Sequence, residues 1–60
     1  MENKEALVSE ALGEVQSAID LVSSILPTSD LVLQDSVIET VENIKIAHES
    51  LEDLYTLLTN

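Results

Sequence analysis

Sixty residues and 6.5 kDa allow one domain at most, and a domain of that size hides only about 60% of the surface its unfolded chain exposes, so its core is small. Twelve acids against two lysines and no arginine give a net charge of −10, which repels phosphate backbones and anionic membranes and argues against direct nucleic-acid binding. With no cysteine, disulfides and most structural metal sites are excluded, self-association is the remaining way to enlarge the core, and at least a dimer is expected.

The segment Met1-Glu2-Asn3-Lys4-Glu5 lacks the basic region of a secretory signal, and no apolar run approaches the roughly 18 residues of a membrane span. A cytoplasmic protein is expected, with Met1 as the native start of a complete small chain. Its 45% hydrophobic content is too high for a solvated acidic tail, so the chain should fold.

Val8, Leu12, Val15, Ile19, Val22 and Leu26 recur at spacings of four and three, the seam pattern of packed helices. This predicts helix 1 from about 3 to about 25. With Leu12 at heptad position a, Ala11, Ala18 and Ile25 fall at g and Leu7 and Leu21 at c. The apolar surface therefore covers c, g, d and a, wide enough to meet more than one helix, and the alanines permit close approach. Gly13 lies on the opposite side, an incidental exposed glycine costing about 1 kcal/mol relative to Ala.

The one breakpoint is Pro27-Thr28-Ser29-Asp30, a proline followed by three good N-cap residues. The turn is placed at about 26–30. Beyond it Val37, Val41, Ile44, His48, Leu51, Tyr55 and Leu58 repeat the same alternation, flanked by Leu33, Ala47 and Leu54 at g. Helix 2 is expected from about 30 to about 58, with a kink near Asp35. A start near Val37 is the alternative, because Ser36-Val37-Ile38-Glu39 fits a capping box. Acids near both starts, Glu2 and Glu5 in one and Asp30 and Asp35 in the other, suit the helix dipole.

The fold class is all-α: residues 1–60 form one antiparallel two-helix hairpin with a coiled-coil seam. Each broad apolar face is half exposed in a monomer, so two hairpins are expected to pair as a homodimeric four-helix bundle. With a tight turn, Leu26 meets Leu31, Ile19 meets Val37, Val15 meets Val41, Leu12 meets Ile44 and helix 2 outruns helix 1. With a longer connection the helices are nearly equal and Leu12 lies opposite Leu51. The expected oligomer or partner interface is Val8, Leu12, Val15, Ile19, Val22, Val37, Val41, Ile44, His48, Leu51, Tyr55 and Leu58. Val32, Ile38, Ile46 and Leu57 fall outside the narrow seam; they either extend the dimer interface, the preferred reading, or form a separate apolar patch.

Little else in the chain supports chemistry. His48 sits in the seam between Ile44 and Leu51, where a polar residue fixes helix register. A Glu-x-x-His metal motif needs an acid at position 45, which is Lys45. No second His or Cys completes a zinc site, and no Gly-rich turn provides a phosphate loop or an oxyanion hole. The expectation is a non-enzyme without cofactor or metal. Glu39, Glu42, Glu49, Glu52 and Asp53 line the outer side of helix 2, read first as a solvated face and second as a docking surface for a basic partner.

In size and hairpin plan the chain resembles the small dimeric four-helix proteins typified by the plasmid RNA-binding protein Rop, and also the small acidic helical chaperones of bacterial secretion systems. The resemblance is architectural and carries no site residue over. The function expected is a protein-interaction module that binds and regulates another protein, as a bacterial or phage accessory factor. The alternatives are a chaperone that shields an apolar helix of a client and a DNA mimic.

Overall fold

The computed structural model describes residues 3–60, which form two helices packed side by side: α1, Lys4–Ser23, and α2, Leu31–Thr59. The expected acid at Glu2 lies outside the described residues.

Local sequence sets each boundary. Asn3 caps α1 in extended backbone, its side-chain oxygen accepting from the Ala6 N–H at 3.2 Å. α1 ends at Ser23, two residues before the expected boundary. Pro27 explains this, since it has no N–H to return to the Ser23 carbonyl and its ring crowds the turn before it. The last turn tightens instead, with Ile25 N–H donating to the Val22 carbonyl and Leu26 N–H to that of Ser23, both at 3.1 Å.

The turn therefore runs over 24–30 rather than 26–30. Thr28 Oγ1 accepts from the Asp30 N–H at 3.2 Å, and Asp30 Oδ1 accepts from Val32 and Leu33 at 3.0 and 3.1 Å. Asp30 thus satisfies two of the orphan donors that begin α2. From there α2 is unbroken, so there is no helix break at Asp35, and the Ser36–Glu39 box lies inside the helix.

α1 has 20 residues and α2 has 29, nine more. The excess runs past the start of α1 as an overhang of about 14 Å at 1.5 Å per residue. Helix 2 outrunning helix 1 is the tight-turn arrangement. Among the described residues Ile19 and Val37, about equally far from the turn, are the two buried side chains, 8% and 4% exposed. Elsewhere in the a and d seam Val8, Leu12, Val15, Val22, Leu26, Val41, Ile44, His48, Leu51 and Leu58 are half-buried, whereas Tyr55 is exposed, and Leu31, expected against Leu26, is 72% exposed because it opens α2 at an e position.

The principal extents are 48 × 16 × 12 Å, which makes the hairpin two helices wide and one helix thick. Its radius of gyration is 14.4 Å, against about 10 Å for a compact domain of this length. Among the described residues no helix is long and apolar enough to cross a membrane.

Two substitutions test this packing. Ile19→Ala should cost about 2 kcal/mol or more, because it empties half of the buried pair. Gly13→Ala should stabilise by about 1 kcal/mol, since a methyl there meets nothing within 4 Å and the helix gains propensity. Thermal melts at fixed protein concentration measure both, the second as a rise of several degrees.

Candidate interaction surface

The a and d residues of each helix turn towards the other helix and account for the half-buried seam. In an antiparallel pair that meets through a and d, the g positions of both helices emerge on one side and the e positions on the other. On α1 the first side carries Leu7, Ala11, Ala18 and Leu21, with Ile25 just past its end in the same register. On α2 it carries Leu33, Thr40, Asn43, Ala47, Ser50, Leu54 and Leu57, together with Ser36. Leu7, Leu21, Ile25, Leu33, Leu54 and Leu57 are all exposed in the hairpin, Leu21 at 71% and Leu57 at 73%.

This side is nearly free of charge; Lys4 and Glu14 are the charged residues at its g and c positions. The other acids of the two helices, except Glu5 at a seam position, fall at b, e and f. Glu39, Glu42, Glu49, Glu52 and Asp53 are all exposed. The hairpin as a whole is therefore amphipathic, apolar on one broad side and acidic on the other.

Four large apolar residues lie off that side. Leu31 and Ile38 are at e, and Val32 and Ile46 are at f, all exposed. Val32 and Ile46 share the f row of α2 with Glu39 and Asp53, which places apolar side chains among carboxylates on the outer surface. Tyr55 also differs from its seam neighbours in being exposed, at 36%.

His48 Nδ1 lies 3.4 Å from Glu52 Oε1 one turn along α2, with the His48 side chain 24% exposed. The two are an i,i+4 contact along the helix at a partly open site. Among the described residues no group of three or more His, Asp or Glu is arranged to hold a metal ion. What the arrangement offers is contact surface: an apolar side, an acidic side and four apolar residues near the acids.

Comparison with family models, with curated proteins and with solved structures finds no match. The functional reading therefore rests on the geometry and the residues.

Proposed function

We propose that the chain is a small acidic, non-enzymatic protein-interaction module, working as a cytoplasmic homodimeric four-helix bundle that binds and regulates another protein. The observation that carries this reading is uncovered surface. The hairpin leaves 4641 Å² accessible, about 800 Å² more than the roughly 3,800 Å² expected of a compact protein of its mass. A standard protein interface hides about 800 Å² on each partner.

In this reading the g and c side is used for self-association and the outer surface of α2 for the regulated protein. Val32 and Ile46 supply apolar anchors there, and Glu39, Glu42, Glu49 and Asp53 select a basic amphipathic segment and speed its approach. A bacterial or phage accessory factor is the setting such a small acidic regulator suits.

The second reading, a chaperone, is favoured by the same open side: a one-layer hairpin can accept an apolar helix of a client where the bundle would place a second copy. A DNA mimic is a third use of the acidic face.

Sedimentation should give a dimer at micromolar concentration, and Val15→Asp or Val41→Asp should dissociate or unfold it. A well-folded monomer under those conditions contradicts the reading. Pull-down at low salt should then recover one folded protein that is released as salt rises, and Ile46→Asp should abolish recovery while the dimer persists. Recovery of an aggregation-prone helical client supports the chaperone instead, and competitive displacement of the captured protein by DNA supports the mimic.

A further inference from the structure

We infer that the apolar side is occupied by a second copy turned about a two-fold axis perpendicular to the helices, so that the last two turns of each α2 lie on the turn end of the other hairpin. This rests on the dimer reading above and specifies its geometry.

Two face-to-face arrangements of the hairpins have two-fold symmetry. With the axis parallel to the helices, both turns lie at one end. Both overhangs then project past both copies of α1, and Leu54 and Leu57 stay uncovered. With the axis across the helices the turns lie at opposite ends, and each α2 runs antiparallel along the whole length of the other. Only the second arrangement covers the overhang, whose Leu57 is 73% exposed.

The residue pattern of α2 suits this antiparallel pairing. The middle of α2, Leu31–Thr59, is Lys45, so residues equidistant from Lys45 face one another. Leu57 then meets Leu33 of the second copy, and Leu54 meets Ser36. Small residues, Thr40, Asn43, Ala47 and Ser50, occupy the centre and let the two helices approach closely. Bulk is thus concentrated at the two ends and absent from the middle.

α1 follows the same axis. In the register of the seam, where Ile19 and Val37 are the buried pair, Lys45 is level with Ala11, so the axis passes beside Ala11 and Lys4 of one copy reaches Ala18 of the other.

Past Lys4 of one copy, α1 of the other continues without an α1 opposite it. Leu21 and Ile25 stand there, and the overhang of the first copy comes down beside them. Each end of the bundle is then closed by the Leu54 and Leu57 overhang of one chain seated against Leu21, Ile25 and Leu33 of the other.

The chain has no cysteine, so single-cysteine variants report distances cleanly. Leu33→Cys and Leu57→Cys, mixed and oxidised, should give the mixed 33–57 disulfide as the dominant dimer. In a charge test that leaves the apolar surface alone, Ser50→Glu should raise the dimer dissociation constant about tenfold, the change occurring twice by symmetry. Adding Thr40→Lys on the same chain should restore it, since Thr40 and Ser50 are equidistant from Lys45. Dominant 57–57 dimers, or a 33–21 disulfide from mixed Leu33→Cys and Leu21→Cys, with the native dimer intact by sedimentation, would overturn this geometry and leave the dimer reading standing. A native protein that stays monomeric overturns the dimer reading itself. If the cysteine variants lose their helical circular dichroism when reduced, the charge variant and its rescue decide the question: rescue of Ser50→Glu by Thr40→Lys supports the arrangement, and no effect, or weakening without rescue, rejects it.

Discussion

Two helices in contact can hide one stripe of each, and both helices of this protein are apolar beyond that stripe. The a and d residues close the hairpin; the g and c residues, about 100° further round each helix at 100° per residue, cannot reach the same partner. An offset near a right angle has a definite consequence. It directs the next neighbour of each helix above the plane of the hairpin instead of beside it, which is the relation between adjacent edges of a square bundle. A row of helices would need the stripes on opposite sides. Since both g rows emerge on the same side, the two requirements add to one continuous surface.

Charge then limits where that surface can grow. Acids at b, e and f cover the far side of the hairpin, so a third layer would have to set carboxylates against carboxylates. Exposed charge is screened over about 10 Å in moderate salt, far enough to oppose contact between two acidic sides. The apolar side, holding only Lys4 and Glu14, pays little of this repulsion. Like sign on one side and near neutrality on the other favours an assembly that closes after one pairing over one that stacks indefinitely.

Much of this was legible in the residues. The four-and-three spacing from Val8 to Leu26 and from Val37 to Leu58 marks the half-buried seam, because helical period converts directly into a face. Asp30 was legible as a cap, since a carboxylate two and three residues before free N–H groups has an obvious use. The early end of α1 was less so: the influence of Pro27 reaches back a full turn, and the tightened hydrogen bonds to Val22 and Ser23 leave no sequence mark. Ser36–Glu39 satisfies a local pattern that the continuous helix overrides, because inside α2 the N–H groups such a box would serve already donate to carbonyls one turn back. The shared side of Leu21 and Leu57 was hidden for a different reason. Heptad letters describe one helix at a time, and only the antiparallel pairing shows that the two g rows emerge together.

The unequal helices bring these points together. Nine extra residues on α2 are continuous with a helix already formed, so they carry no nucleation cost, and the hydroxyls of Thr56 and Thr59 bond to carbonyls of Glu52 and Tyr55 at 3.0 and 3.1 Å near the end of the helix. Local forces thus explain how the extension is helical but not why Leu54 and Leu57 stand on it facing water. A solvated extension would be stabilised equally by polar residues of good helix propensity, such as Glu42 and Glu49 on the b row of the same helix. Apolar residues gain there only when another surface arrives, and the surface of matching side and length within this chain is the turn end that carries Leu21, Ile25 and Leu33. The same nine residues that make the isolated hairpin lopsided make two hairpins, turned end for end, equal in length.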